Sequence, residues 1–259
     1  IVNSGTEAIE AAIKLCRGFT GRKNIIAFEG AYHGSTNGSL SISSNDKRKK
    51  NFEPLLPNID FISLNNLESL DLISNQTAGV FLETIQGDAG VQIPTYCFMK
   101  ALRKKCSETG TLLVLDEIQC GLGRTGANFA FEHFDIIPDI LTLGKALGGG
   151  LPIGALVASQ QVLGTFSNNP ELGHITTFGG HPLNAASAAE FCAILDEEID
   201  LKEVERLGHL LEKEISRHPA IIASRRKGML FAFDMKDGQK VAKVVAHCLK
   251  NGLILFWFL

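Results

Sequence analysis

The stretch Leu112-Leu113-Val114-Leu115-Asp116-Glu117-Ile118-Gln119 decides the class of fold. Its first four residues form an unbroken apolar run, which is typical of a strand that is buried on both faces of a sheet. Strands of this kind occur mainly in parallel sheets that carry helices on both sides. Asp116 follows the run directly, so its carboxylate is expected at the carboxyl end of the strand, where burial is costly unless the group has a partner.

Strands and helices alternate on either side of this stretch. The apolar patterns predict strands at residues 25–28, 61–64, 80–85, 112–115, 140–143 and 153–158. A first helix is predicted between a cap at Ser4 or Thr6 and the glycines Gly18 and Gly21, and another helix at residues 96–106. This alternation predicts an α/β fold with a mostly parallel central sheet and helices on both faces. Sheets of this kind bind ligands beyond the carboxyl ends of their strands.

The pattern changes after residue 182. Helices are predicted at residues 185–195, 201–215 and 239–250, and strands at residues 229–235 and 253–259, the last of them buried. We therefore expect a large domain at residues 1–195 and part of a smaller α+β domain at residues 196–259. The chain starts without methionine and stops inside an apolar run whose strand edge would be left open, so we expect a fragment of a longer protein.

The composition excludes some classes of partner. The 259 residues carry a formal net charge of −3, which gives no indication of nucleic acid or of an anionic membrane as a partner. No segment approaches the roughly 20 apolar residues that span a membrane, and the basic run at residues 47–50 is predicted to be a solvated loop. The six cysteines include no C-x-x-C pair. We expect reduced cysteines, a cytoplasmic location and no metal site.

Two further groups of residues have the character of a reaction site. Lys145 follows the predicted strand 140–143 and precedes three glycines, a position in which a lysine can lose hydration and suit Schiff-base chemistry. The segment Asn3-Ser4-Gly5-Thr6-Glu7 opens a helix, where free N–H groups bind phosphate. Taken singly, the aspartate, the lysine and the helix start each have a structural explanation. A phosphate cradle, a carboxylate and a lysine at the edges of successive elements together indicate one site.

Five motifs, in order along the chain, resemble those of a known family. They are N-S-G-T-E-A at 3–8, G-A-Y-H-G at 30–34, L-D-E-I-Q-C-G-L-G-R-T-G at 115–126, T-L-G-K-A-L-G-G-G at 142–150 and T-T-F-G-G-H-P at 176–182. The chain resembles, over essentially its whole length, the class III (ω-amino) aminotransferases of pyridoxal-5′-phosphate (PLP) fold type I, such as acetylornithine and ornithine aminotransferases. The resemblance implies a homodimer with a shared active site. It also implies transfer of an amino group between an amino acid or ω-amine and a 2-oxo acid such as 2-oxoglutarate.

The resemblance implies catalytic and ring-binding roles for five residues. Lys145 would hold PLP as a Schiff base and move the proton between the substrate and the cofactor. Asp116 would pair with the pyridine nitrogen and keep the ring an electron sink. Gln119 would donate a hydrogen bond to the 3′-oxygen, and Tyr32 would stack on the ring with His33 beside it. Packing remains an alternative for Tyr32, and a purely hydrogen-bonding role remains one for His33.

The remaining implied roles concern the phosphate and the Schiff base. Ser4, Gly5 and Thr6 would bind the phosphate at the start of the first helix. Glu83 resembles the carboxylate close to the Schiff base. Thr177 resembles the residue that reaches the phosphate of the neighbouring subunit, with a turn cap as its alternative.

The chain departs from the family pattern in one motif. Where members have E-P-I-Q-G-E, this chain has Glu83-Thr84-Ile85-Gln86-Gly87-Asp88, with Thr84 in place of proline and Asp88 in place of glutamate. In ω-amino members that glutamate pairs with an arginine near the C-terminus. Other reactions on the same scaffold, such as an aminomutase or a decarboxylating transaminase, fit the core motifs as well. So does a truncated, inactive chain that binds a partner. The amino donor is left open.

Overall fold

A six-stranded sheet forms the centre of the fold. The structure, a computed structural model, describes residues 1–168 and 170–257. The strands lie in the order β2-β1-β3-β4-β5-β6; the first five run parallel, and β6 is antiparallel to β5. Their bounds are β1 Asn24–Phe28, β2 Ile59–Ile62, β3 Thr77–Glu83, β4 Leu112–Asp116, β5 Ile140–Leu143 and β6 Ala155–Ala158. The α/β fold with a mostly parallel central sheet, predicted from the apolar runs, is confirmed.

Strand β4 is buried along its whole length, as its apolar run predicts. Leu113 and Leu115 belong to one core cluster, whereas Leu112 and Val114 belong to a second cluster on the other face of the sheet. This division follows from the two-residue period of a strand, in which successive side chains point to opposite faces. Each such leucine or valine contributes about 1.5–3 kcal/mol to folding.

Eight α-helices cover the sheet and build the C-terminal part of the described chain. They are α1 Gly5–Thr20, α2 Asn37–Ser41, α3 Asp46–Lys49, α4 Tyr96–Thr109, α5 Gln160–Leu163, α6 Pro182–Glu197, α7 Leu201–Ser216 and α8 Gly238–Lys250. Short 3-10 turns occupy Glu68–Leu72, Ala130–Phe134, Lys145–Gly148 and Gly164–Phe166. Ser4 caps α1 by accepting a hydrogen bond from the Glu7 N–H, and α1 ends at Gly21, whose φ is 68°. In the described part of the chain, no helix has the length and apolar character needed to cross a membrane.

The ends of several strands differ from the predicted ones because each strand stops where its partner stops. Strand β2 starts two residues before the predicted 61–64 and ends at Ile62, opposite Phe28, the last residue of β1. Strand β3 starts at Thr77 and ends at Glu83, opposite the end of β4. The predicted strand 153–158 begins only at Ala155, opposite the end of β5.

The basic run at residues 47–50 was predicted to be a solvated loop. Lys47, Arg48 and Lys50 are exposed, as predicted, but the backbone of most of the run is a helical turn and not a loop. Residues Asp46–Lys49 form the single turn α3, because the Asn45 side chain accepts a hydrogen bond from the Lys47 N–H at 3.0 Å. The Arg48 guanidinium is paired to a carboxylate 40 positions away in the sequence. The Lys49 ammonium lies over the ring of Phe61, 4.3 Å from its centroid. Within the run, Lys49 therefore contacts a strand at the edge of the sheet, whereas Lys47, Arg48 and Lys50 are exposed.

A second, two-stranded sheet lies in the C-terminal part. Strands β7 Ile221–Lys227 and β8 Leu230–Met235 form an antiparallel hairpin. Arg226 joins the hairpin to α7 through ion pairs with Glu205 at 2.7 Å and Glu212 at 3.0 Å. The helices and strands of this part have the mixed α+β composition that the sequence predicts. The division into residues 1–195 and 196–259 stays a prediction.

The predicted buried strand at residues 253–259 is wrong for the residues that the structure describes. Residues 253–257 are irregular, and Ile254 and Phe256 are 82% and 80% exposed. Within the described ranges, the segment belongs to neither of the two sheets. Residues 258–259 lie outside the described residues.

Candidate active site

A cavity of about 250 Å³ opens at the carboxyl ends of β1, β3, β4 and β5. It lies at the switch point of the sheet, where the chain passes from β1 to β2 on one side and β3 lies on the other. Its walls are formed by Gly5, Thr6, Tyr32, His33, Gly34, Ser35, Glu83, Asp88, Asp116, Ile118, Gln119 and Lys145. The structure therefore brings together all the predicted site residues except Ser4 and Thr177.

Asp116 is the last residue of β4 and is only 5% exposed. One carboxylate oxygen, Oδ2, lies 2.8 Å from Nδ1 of His33, and the other accepts a hydrogen bond from the Ile118 N–H at 3.0 Å. The His33 side chain is fully buried, and the backbone N–H of His33 donates to Oγ of Ser43 at 2.9 Å. A carboxylate has about four acceptor positions, so the side chain is fixed in place with capacity left for a further donor.

Glu83, the last residue of β3, joins two loops beside Asp116. Its Oε1 accepts the Tyr32 N–H at 2.9 Å, and its Oε2 accepts the Gly87 N–H at 3.1 Å. Burial raises the pKa of Glu83 to about 7, while the nearby His33 acts in the opposite direction. Glu83 thus holds the loop that carries Tyr32 against the loop that follows β3.

Lys145 follows β5 and begins the 3-10 turn Lys145–Gly148. Its φ of 46° lies in the left-handed region, which is unusual for a residue with a side chain and is found often at functional sites. The turn is joined to α6 by a hydrogen bond from Oγ of Ser187 to the Gly148 carbonyl at 2.8 Å. Because β4 and β5 are neighbours in the sheet, Lys145 and Asp116 lie on adjacent walls of the same cavity.

The first turn of α1 provides N–H groups at the cavity. Within the described residues, no acceptor is bonded to the N–H groups of Gly5 and Thr6. The Thr6 hydroxyl is bonded to that of Ser39 at 2.7 Å. Ser4 instead caps the helix and does not line the cavity. Gly34, with φ 131°, allows the close approach here, since a Cβ on it would lie 2.3 Å from the Thr6 oxygen.

Gln119 lines the cavity next to Gly87. A Cβ added to Gly87 would lie 1.5 Å from Oε1 of Gln119, so the absence of a side chain at position 87 makes room for the amide. The glycine at this position therefore sets where the Gln119 side chain can lie.

Glu117, the neighbour of Asp116, is a buried carboxylate that does not line the cavity and was not singled out from the sequence. It is fully buried, and it accepts hydrogen bonds from the N–H groups of Ala130 at 2.6 Å and Phe131 at 2.7 Å. The hydroxyl of Thr84 donates to it at 3.0 Å. Burial raises the pKa of Glu117 to about 7. The sequence signal that could have indicated the buried Glu117 was Thr84, which places a hydroxyl where the family pattern has proline.

Thr177 lies away from the cavity, on the exposed surface. Its segment carries several strongly exposed apolar side chains: Leu172 (73%), Ile175 (67%), Phe178 (67%) and Leu183 (68%). Contiguous apolar exposure of this kind is typical of a protein–protein contact surface.

The model of the family described as aminotransferase class III matches residues 1–258. The chain belongs to the class III aminotransferase family. Among curated members, it is 42% identical to the LysW-aminoadipate semialdehyde/glutamate semialdehyde transaminase of Sulfolobus acidocaldarius, over 91% of the chain and 61% of that protein. It is 41% identical to the acetylornithine aminotransferase of Methanopyrus kandleri, over 92% of the chain and 61% of that protein. The chain thus spans about three fifths of the length of these class III relatives.

Solved structures of aminotransferases share the fold. The ornithine aminotransferase of Toxoplasma gondii superimposes with a TM-score of 0.90 at 31% identity, covering 98% of this chain and 63% of that protein. That crystal contains PLP at partial occupancy in its active site. An aminotransferase of Bacillus anthracis superimposes with a TM-score of 0.89 at 27% identity, covering 98% of this chain and 67% of that protein.

Proposed function

We propose that this chain binds PLP covalently through Lys145 and is the core of a transaminase. The enzyme would move an amino group between an amino acid or ω-amine and a 2-oxo acid such as 2-oxoglutarate. The observation that carries the proposal is a single cavity lined by Lys145, Asp116 and the first turn of α1. Lys145 and Asp116 lie at the ends of neighbouring strands. The names of the family and of the relatives support a transaminase over an aminomutase or a non-catalytic chain.

The residues of the cavity fit the chemical groups of PLP. The N–H groups of Gly5 and Thr6 at the positive end of a 16-residue helix suit the phosphate. The remaining acceptor capacity of Asp116 suits the protonated pyridine nitrogen. Tyr32 offers an aromatic face to the ring, and the Lys145 amine can bind the aldehyde covalently. Each part of the cofactor thus meets a suitable partner.

When bound, PLP supplies an electron-accepting ring that stabilises negative charge on a substrate carbon. Asp116 would keep a proton on the pyridine nitrogen, and His33, bonded to Oδ2, would hold the carboxylate in place. Gln119 would donate its amide hydrogen to the ring oxygen. The amine of Lys145 would carry a proton to and from the substrate carbon.

The working enzyme would be a homodimer in the cytoplasm. The exposed apolar residues around Thr177 support the dimer, because they would be covered by a second subunit. Thr177 would then bind the phosphate in the neighbouring subunit's site. The six free cysteines support a reducing compartment.

A single-turnover half-reaction tests the proposal. The PLP-loaded protein is mixed with L-glutamate, L-ornithine or N-acetylornithine, and the cofactor absorbance is followed together with the oxo product and carbon dioxide. We expect at least one donor to yield one oxo product per cofactor converted, without carbon dioxide. Loss of carbon dioxide would indicate a decarboxylating reaction. No conversion with any donor, in a protein shown to bind PLP, would contradict a transaminase acting on these amines.

A further inference from the structure

A second cavity, of about 430 Å³, adjoins the candidate active site. The two cavities share Tyr32, Ser35 and Asp88 as lining residues. The second is also lined by Arg48 and Lys47, neither of which lines the first. A molecule whose reacting carbon lies near Lys145 could therefore extend past the shared residues into the second cavity.

Arg48 is held at the border between the two cavities. Its Nη1 donates to Oδ2 of Asp88 at 2.9 Å, and its guanidinium carbon lies 5.0 Å from the centroid of the Tyr32 ring. The side chain is 40% exposed, against 19% for Asp88. A guanidinium has five N–H donors, and among the described residues only Nη1 has a hydrogen-bond partner. The group is oriented but still has donors for a second acceptor.

The charges of the second cavity favour an anion. Its lining has two cations, Lys47 and Arg48, and one carboxylate, Asp88. Phe52 and Tyr32 supply apolar walls that suit a short hydrocarbon chain. A planar guanidinium fork matches a carboxylate better than any other side chain does, because it can donate two parallel hydrogen bonds.

We propose that Arg48 determines substrate specificity by binding the second carboxylate of a dicarboxylic 2-oxo acid or amino acid. This inference rests on the proposed function, because it places the reacting carbon of the same molecule in the first cavity. The second carboxylate is the one bound, since Arg48 does not line the cavity that holds Lys145. In the free enzyme, Asp88 is the partner of Arg48 and keeps the guanidinium at the border.

A purely structural role would make different predictions. The Arg48–Asp88 pair then only attaches α3 to the loop after β3, and breaking it would alter stability without discriminating between ligands. Partly exposed pairs of this kind contribute little to stability. The variants Arg48→Gln and Arg48→Lys, with Arg217→Gln as matched control, separate the two roles. Arg217 pairs with Glu214 on the surface of α7, far along the chain from both cavities.

The first measurement is the binding of glutarate to the PLP-loaded protein by titration calorimetry. Glutarate has two carboxylates and no reactive carbonyl, so binding is read without turnover. We expect Arg48→Gln to raise Kd by at least about tenfold, the loss of a charge-assisted hydrogen bond. Arg48→Lys should raise Kd less, and Arg217→Gln should leave it unchanged. A Kd within about twofold of wild type for Arg48→Gln, or no glutarate binding by the wild type, would overturn the inference.

The second measurement compares two amino acceptors in the reverse half-reaction, which starts from the protein loaded with pyridoxamine phosphate because a 2-oxo acid takes its amino group from that form. For Arg48→Gln, kcat/KM with 2-oxoglutarate should fall by at least about tenfold, whereas kcat/KM with pyruvate, which has one carboxylate, should stay within about twofold. An equal loss with both acceptors would contradict a role in selecting dicarboxylates. If the wild type converts neither acceptor, the proposed function fails, and the glutarate titration still decides the role of Arg48.

Discussion

Replacing Asp116 by asparagine removes a negative charge from the cavity and leaves the shape of the side chain almost unchanged. The asparagine oxygen can still accept the hydrogen bond that Ile118 donates at 3.0 Å. The atom that replaces Oδ2, 2.8 Å from Nδ1 of His33, is the amide nitrogen and donates, so this bond persists in reversed direction with the His33 proton on Nε2. We expect the fold to persist with a loss of about 1–2 kcal/mol in the free energy of unfolding, because one buried charge-assisted hydrogen bond is replaced by a neutral one of reversed direction.

The effect on catalysis should be much larger. Asp116 is 5% exposed, so its interaction with a proton on the cofactor ring is weakly screened by water. An amide cannot hold that proton, and the loss of a charge-assisted hydrogen bond at such a position costs about 3–5 kcal/mol in the barrier. Since each 1.36 kcal/mol is a factor of ten, turnover should fall by roughly 10² to 10⁴.

Rapid-mixing half-reactions with wild type and the Asp116→Asn variant measure this loss. The matched control is Asp139→Asn, because Asp139 also bonds to β4, accepting the Leu113 N–H at 2.7 Å, and pairs with Arg103 at 2.8 Å outside the cavity. The control should lose stability and keep its rate. If Asp116→Asn retains more than about a tenth of the wild-type rate, a change below roughly 1.4 kcal/mol, the assigned role of Asp116 is wrong.

Three further outcomes follow from the structure. Gly87→Ala should push the Gln119 amide aside and so shift the absorbance of the bound cofactor. The free energy of unfolding should change by less than about 1 kcal/mol, because the added methyl group meets only the end of a flexible side chain. An unchanged absorbance spectrum would contradict the role of Gln119. Burial raises the pKa of Glu117 from its ordinary value of 4.5 to about 7, so the folded chain binds this proton more tightly than the unfolded chain does. The free energy of unfolding should therefore fall as the pH rises between these values, and Glu117→Gln should remove up to about 3 kcal/mol of that fall in denaturant titrations; an unaltered slope would refute this. Mixed dimers of Lys145→Ala and Thr177→Ala subunits should exceed either parent in activity if Thr177 acts in the neighbouring site, and a flat result with proven subunit exchange would exclude a shared site.

The sequence was most informative where a local pattern determines a position in the sheet. An apolar run followed by one carboxylate placed Asp116 at the end of β4, and a second run placed Lys145 at the end of β5. Parallel strands bring their carboxyl ends to one edge, so the meeting of the two residues in one cavity could be expected. The positive φ of Lys145 could not be expected from the sequence, because it depends on how the following turn packs against α6.

The remaining features depend on contacts between distant parts of the chain. The local sequence predicts Arg48 only as part of a solvated basic run. Its pairing could not be predicted, because its partner Asp88 lies 40 positions away and the single turn that orients Arg48 is short. Glu117 was not singled out from the sequence, since its burial depends on the loop at Ala130–Phe134. The segment at residues 253–257 has the composition of a strand, but in the described part of the chain it does not pair with either sheet.

The central claim is that Lys145 binds PLP covalently. The PLP-loaded protein is reduced with borohydride, digested and examined by peptide mass spectrometry, and a Lys145→Arg variant is treated identically as the control. We expect a pyridoxyl adduct on the peptide that contains Lys145 and no adduct at stoichiometric level in the variant. An adduct on another lysine with Lys145 unmodified, or an equal adduct in the variant, would contradict the claim.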